Sequence, residues 1–232
     1  MSLEEHFFPN RTKLFAGLAA DLTEKLSEIV RKRRKASIAL PGGTTPAPVF
    51  ETLSHNPLPW KKVSVTLTDE RWVSPEDPAS NEWLIRDQLL KRRAAEAAFV
   101  PFKTGHAKAA GAVTVADRRL GPILPLDICL LGMGPDGHIA SLIPGAEGYE
   151  AAVAETNKKM TAPIHALGAA GAPERLSLTL NCILASRRVI LLFMGQEKLH
   201  MFNEAKEGRG ATPVKELLTR AGKMPVDAWW AP

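Results

Sequence analysis

His138 closes the run Gly134-Pro135-Asp136-Gly137-His138. An imidazole that titrates near neutrality can take a proton from water and turn it into a nucleophile. Asp136, two residues earlier, is placed to orient the ring or the water. The same pair also fits a helix cap and an Asx-turn, which require no chemistry. A second run, Gly42-Gly43-Thr44-Thr45, joins two glycines that let backbone approach a ligand to two hydroxyl donors. A helix opening at Pro46 would aim free N–H groups and its positive dipole end at that loop, which suits a phosphate. An ordinary strand-to-helix turn has the same composition. Asp69-Glu70-Arg71 sets two acids and a base side by side; in a strand, Asp69 and Arg71 would face one way and Glu70 the other. A local charge network is the plainer reading of that triplet. Arg175 and Lys198 are further cations able to hold an anion. The remaining histidines (His6, His55, His106, His165 and His200) show no metal-ligand spacing with acids or cysteines, so no metal is expected.

The elements that must hold these residues follow from periodicity. Leu14, Leu18, Leu22, Leu26 and Ile29 recur at helical spacing, which predicts one amphipathic helix over about 10–34. It ends in Arg31-Lys32-Arg33-Arg34-Lys35, cations that read as a solvated face complementing the helix dipole, with a nucleic-acid patch as the alternative. Ser37–Leu40 predicts a short buried strand cut off by Pro41-Gly42-Gly43, with Thr45 as N-cap and Pro46 as first helical residue. Val63, Val65 and Leu67 alternate with polar residues in a strand that runs straight into Asp69. A helix is expected over 80–93, a weaker strand over 98–102, and an apolar strand over 126–131 stopping at Gly132-Met133-Gly134. His138 then adjoins a helix start at Ile139–Leu142. Arg188–Met194 predicts another strand, stopping at Gly195 before a helix that ends near Gly208, and Thr212-Pro213 opens a last helix to about Arg220. This alternation predicts an α/β fold, one domain over 1–232, with a mainly parallel central sheet flanked by helices. In such sheets ligands sit at the carboxyl ends of the strands. Four of those ends carry unusual residues: Gly42–Thr45, Asp69–Arg71, Gly134–His138 and Gly195-Gln196-Glu197-Lys198. Together they predict one site.

Composition narrows the class. With 232 residues, 45% hydrophobic and 24% charged, the chain can bury a core, which excludes disorder. Lys+Arg minus Asp+Glu is 30 − 25 = +5, a balance that fits anionic ligands from sugar phosphate to nucleic acid without choosing between them. No run approaches the roughly 18 apolar residues of a membrane span. The N-terminus, Met1 to His6, carries acid where a signal peptide carries base, so a cytoplasmic location is expected. Cys129 and Cys182 lie far apart in apolar runs and are expected to be buried free thiols.

Taken in order, the blocks Gly42-Gly43-Thr44-Thr45-Pro46, Thr68-Asp69-Glu70-Arg71-Trp72-Val73, Ser80-Asn81, Leu131 to Leu142 with Pro144-Gly145, and Arg175-Leu176-Ser177-Leu178-Thr179 resemble the 6-phosphogluconolactonases. The match in order and spacing covers nearly the whole chain, from about Lys13 to Trp229-Trp230. The resemblance implies a Rossmann-like fold shared with glucosamine-6-phosphate deaminase. It implies hydrolysis of 6-phosphoglucono-δ-lactone to 6-phosphogluconate, the second step of the pentose phosphate pathway, with no metal or organic cofactor. It fits His138 as general base with Asp136 in support. Phosphate would be held by Gly42, Gly43, Thr44, Thr45, Arg175 and Lys198, and substrate would also meet Asp69 and Arg71. The expected partner is a phosphorylated sugar lactone, with no nucleic acid or membrane, in a monomer or homodimer. One departure is Pro41, where the family often has Ser; proline removes a backbone donor. The deaminases follow Asp-Glu with Tyr and place a Glu five residues after the His, where this chain has Arg71 and Ile143. Besides a deaminase-like enzyme, the alternatives are a non-catalytic sugar-phosphate-binding regulator, against which His138 and Asp136 speak, and a nucleic-acid binder, for which no motif accompanies the charge.

Overall fold

The structure is a computed structural model and describes residues 2–232. In chain order the elements are β1 (Ser2–Phe7), α1 (Arg11–Arg33), β2 (Ala36–Leu40), α2 (Ala47–His55), β3 (Val63–Leu67), β4 (Asp69–Arg71), α3 (Asn81–Gln88), β5 (Ala98–Val100) and α4 (Ala109–Leu120). There follow β6 (Ile128–Gly132), α5 (Tyr149–Val153), β7 (Thr161–His165), β8 (Glu174–Leu178), α6 (Leu180–Leu184), β9 (Val189–Met194), α7 (Gln196–Lys206), α8 (Pro213–Arg220) and β10 (Pro225–Ala231). Seven strands pair in parallel in the order β1-β10-β9-β6-β2-β3-β5. The continuous apolar runs explain who sits in the middle. All five residues of β2 are buried, as are Ile128–Leu131 and Val189–Phe193, because parallel central strands are covered on both faces. The helices close over a core that includes Phe50, Trp60, Phe102, Phe193 and Phe202. No described helix is long and apolar enough to cross a membrane.

The strand order fixes where a ligand can enter. From β2 the chain moves outward through β3 to β5; from β6 it moves the opposite way through β9 to β10. The loops after β2 and β6 therefore diverge, and the crevice between them is the topological switch point of the sheet.

Several expectations are corrected. The strand at 63–67 does not run straight into Asp69. The Thr68 N–H donates to the Leu40 carbonyl (3.0 Å) and the Thr68 carbonyl accepts from the Leu178 N–H (2.8 Å), so the chain leaves the large sheet there. It re-enters as β4 in a second, antiparallel sheet of order β4-β8-β7. Thr45 does not cap α2: the N-cap is Pro46, without a side-chain bond, and the helix begins at Ala47. No helix follows His138; 139–142 make tight turns, with Ala140 left-handed at φ 50°. The helix expected over 80–93 stops at Gln88, although Ser80 does cap it, accepting from the Trp83 N–H. α1 matches its prediction, with Asn10 as side-chain cap and Arg34 as left-handed terminus. Its basic end is partly engaged, Arg33 with Asp127 and Lys32 with Glu28. The elements β1, α4, α5, β7, β8, α6 and β10 were not predicted.

Candidate active site

At the switch point lies a cleft of about 340 Å³, within the range of small-molecule sites. Gly42, Gly43, Thr44 and Thr45 line it from the loop after β2, Asp69 and Arg71 from β4, and His138 from the loop after β6. Arg175 from β8 and Lys198 from the first turn of α7 complete it. Asp136 stands behind His138. The four strand ends singled out in the sequence thus meet around one space.

The turn after β6 builds a compact dyad. Gly134 donates its N–H to the His138 carbonyl (2.9 Å) and Gly137, at φ 77°, donates back to the Gly134 carbonyl (3.1 Å). That curl folds Asp136 onto His138: Oδ1 lies 2.6 Å from Nδ1 and accepts the His138 backbone N–H at 3.2 Å. Burial alone would raise Asp136, but the imidazole and these hydrogen bonds outweigh it and hold its carboxyl below the ordinary value. With the carboxylate ionised, Nδ1 carries the proton and Nε2 is left as the basic nitrogen. The side chain of His138 is 32% exposed, which leaves room for water or substrate.

The cleft also gathers cations. Arg71 and Arg175 are direct partners across β4 and β8, an arrangement that repels in the absence of an anion. Arg175 is buried; Nη2 donates to the Ala170 carbonyl (2.5 Å), Nε to the Ala172 carbonyl (3.2 Å) and Nη1 to Ser141 Oγ (3.4 Å). Burial lowers its affinity for the proton, Asp69 raises it and the Arg71 charge lowers it again. Lys198 is lowered by burial, against the pull of Glu197 and Asp136. Facing these cations, the N–H groups of Gly43, Thr44 and Thr45 have no acceptor among the described residues. Gly43 is left-handed at φ 90°, and a side chain there would be strained. Pro46 and Pro48 carry no N–H, so the expected helix terminus offers few donors and the loop itself presents most of them.

A buried polar shell, invisible to local reading, supports both walls. Asp69 accepts from Thr68 Oγ1 (3.0 Å) and from Ser141 Oγ (2.6 Å), and the Ser141 N–H donates to Ser177 Oγ (3.2 Å). Glu70 turns away from the cleft, as alternation requires. It accepts the N–H groups of Arg71 (2.7 Å), Asn81 (2.7 Å) and Glu82 (2.8 Å) and the Ser80 hydroxyl (3.0 Å). Burial pushes it up to about 7 despite those donors. Asn81 lines the cleft and donates Nδ2 to the Asp69 carbonyl (2.8 Å). Ser80-Asn81, Ser141 and Ser177 all lie within the motif blocks, which was the one available signal.

Away from the cleft, the pairing of β1 with β10 brings ligand atoms of Glu4, His6 and Asp227 within 4.8 Å of one another, a grouping that sequence spacing did not reveal. Arg188 already engages Asp227 through Nε (2.6 Å) and Nη2 (2.9 Å), so its charge is matched by a protein cation. Cys129 and Cys182 are free and buried.

Residues 9–226 match the family described as glucosamine-6-phosphate isomerases/6-phosphogluconolactonase. The 6-phosphogluconolactonase of Rhizobium meliloti (strain 1021) is 38% identical over 235 residues, covering 100% of each chain. The crystal structure of a 6-phosphogluconolactonase from Shewanella baltica OS155 superposes with a TM-score of 0.89 at 32% identity, covering 100% of this chain and 98% of that one. A monomeric glucosamine-6-phosphate deaminase shares the fold, with a TM-score of 0.79 at 17% identity over 100% of this chain and 97% of that one.

Proposed function

The chain belongs to the family of glucosamine-6-phosphate isomerases and 6-phosphogluconolactonases, and within it we propose that the chain hydrolyses 6-phosphoglucono-δ-lactone to 6-phosphogluconate. The observation that carries this reading is a single cleft that holds both an oriented imidazole and a cluster of backbone donors and cations suited to a phosphate. A lactone that bears a distant phosphate needs both, and needs them a fixed distance apart.

The reaction uses groups already described. Asp136 holds the proton on Nδ1 of His138, and Nε2 takes one proton from a water molecule as its oxygen attacks the lactone carbonyl carbon. The carbonyl oxygen becomes an oxyanion, and backbone N–H groups of the glycine-rich loops are the available donors to it. Collapse of that intermediate breaks the bond to the ring oxygen, which takes the proton from the imidazolium and leaves as the sugar hydroxyl. The product is a carboxylic acid that ionises in solution. Gly43, Thr44 and Thr45 hold the phosphate through N–H and hydroxyl donors, and Arg175 and Lys198 supply charge-assisted bonds. Arg71, which lines the cleft, contributes a further charged donor to substrate. The test is product analysis with freshly made 6-phosphogluconolactone, corrected for spontaneous ring opening. Product formation no faster than the uncatalysed rate would end this reading.

A further inference from the structure

We infer that Asn81 is a positioning residue: its side-chain amide is the strut that sets the spacing between the glycine loop and the Asp69 strand, and with it the preference for a phosphorylated lactone. The inference rests on the proposed hydrolysis and extends it to how the chain measures its substrate.

A Cβ built on Gly42 would lie 1.7 Å from Asn81 Oδ1, 2.3 Å from Cγ and 2.7 Å from Nδ2. The amide of Asn81 therefore occupies the volume that any larger residue at 42 would need. Its other contacts run to β4, where Nδ2 donates to the Asp69 carbonyl. Its backbone N–H is pinned by Glu70. One side chain thus spans from the strand that carries Asp69 and Arg71 to the loop that carries Gly43, Thr44 and Thr45. Asn81 is only 2% exposed, yet Oδ1 has no hydrogen-bond partner. A buried acceptor left unpaired is costly, and packing for stability alone would replace it with an apolar group of the same shape. Spacing explains what stability does not. The carboxamide is rigid and planar, and it holds the loop at a distance that Gly42 alone makes possible.

The measured quantity is the ratio of kcat/KM for 6-phosphogluconolactone to that for unphosphorylated glucono-δ-lactone. A displacement of about 1 Å at a binding group can cost about a hundredfold. Removing the strut lets the loop relax by less, so Asn81→Ala should lower the ratio on the order of tenfold, through KM rather than kcat. Gly42→Ala should also lower the ratio, because its methyl group collides with the amide. Combining Gly42→Ala with Asn81→Ala should recover part of the loss, since the new methyl enters the space that the amide vacated. An Asn81→Ala ratio equal to that of wild type would overturn the inference, and so would a double variant no better than Gly42→Ala alone. If Asn81→Ala does not fold, Gly42→Ala decides the matter: an unchanged ratio removes the strut. A wild-type chain that fails to hydrolyse the phosphorylated lactone ends the functional reading itself, which is a separate result.

Discussion

Gly134→Ala should disable the dyad without altering any titratable group. A Cβ at this position would lie 2.2 Å from His138 Nδ1, 2.3 Å from Cε1 and 2.6 Å from Asp136 Oδ1. Ordinary van der Waals contact begins near 3.4 Å, so the ring must retreat by 3.4 − 2.2 = 1.2 Å. Both obstructing groups are side-chain ends, free to swing toward solvent, so the fold should survive. The 2.6 Å bond that fixes the tautomer should not. A misplacement of about 1 Å costs about a hundredfold, and complete loss of a general base about two to four orders of magnitude. Gly134→Ala should therefore lower kcat by about a hundredfold or more, approaching His138→Asn, with binding of 6-phosphogluconate little changed. The two substitutions remove one and the same function, so the double variant should be no slower than His138→Asn. Acid release from fresh lactone, corrected for the spontaneous rate, measures all three. Turnover of Gly134→Ala or of His138→Asn within tenfold of wild type refutes the assignment of His138 as base; losses that multiply in the double variant refute the claim that Gly134 acts through it.

Three further outcomes are expected. Arg175→Ala and Lys198→Ala should each weaken binding of 6-phosphogluconate by roughly 1.5–3 kcal/mol, the scale of one charge-assisted bond, and binding of the unphosphorylated acid far less; calorimetry showing wild-type affinity in both would move the phosphate grip elsewhere. Glu70 gives a pH dependence of stability. Its folded value of about 7 lies above the ordinary 4.5, so as pH rises through that window the unfolded chain ionises first and stability falls. The 7 − 4.5 difference corresponds to on the order of 3 kcal/mol, complete above about pH 7. Urea titrations from pH 5 to 8 should show this slope in wild type and its disappearance in Glu70→Gln; equal slopes would mean that Glu70 is ionised in the fold throughout. Glucosamine 6-phosphate should yield no ammonia, because Ile143 is packed against the core, lies outside the cleft and has no titratable group, and Arg71 stands where the deaminases have Tyr. Ammonia release comparable to lactone turnover would overturn the functional reading.

What could be read from the sequence was what local pattern dictates. β2, β6 and β9 are apolar runs because both their faces are covered, and each is stopped by glycine at the point where its loop enters the cleft. Of the N-caps, Thr212 was legible from the proline after it, whereas Asn10 and Ser80 were legible only as approximate helix starts. The small antiparallel sheet was not visible, because β4 has three residues and its pairing with β8 joins Asp69 to Ser177 across the chain. For the same reason the partners of Asp69 could not be assigned. Ser141 is 72 residues away, and nothing local distinguishes it from a solvent-facing serine. β1 failed for another cause: it is an edge strand with mostly exposed polar side chains, so the alternation that marks a half-buried strand is missing. The helix expected after His138 failed because Gly137 and Ala140 are both left-handed, a backbone choice that an Ile-Ala-Ser-Leu run does not advertise.

Several positions where local rules break gather at or beside the cleft. Arg71 faces Arg175, Arg71 Nε and Asn81 Oδ1 are buried without partners, Glu70 is buried at a raised value, and Ala140 has a left-handed backbone. Each costs stability, and a left-handed alanine alone costs roughly 1–2 kcal/mol. Their shared location has a structural cause. Thr68 ties the β2 end of the large sheet to β8 of the small one, so the loop after β2 and the β4–β8 ladder are held against each other by backbone bonds. Groups that repel or lack partners can therefore be kept close without the chain drifting apart. A dianionic ligand entering there meets donors and cations already fixed in place, and little of its binding energy goes into assembling them.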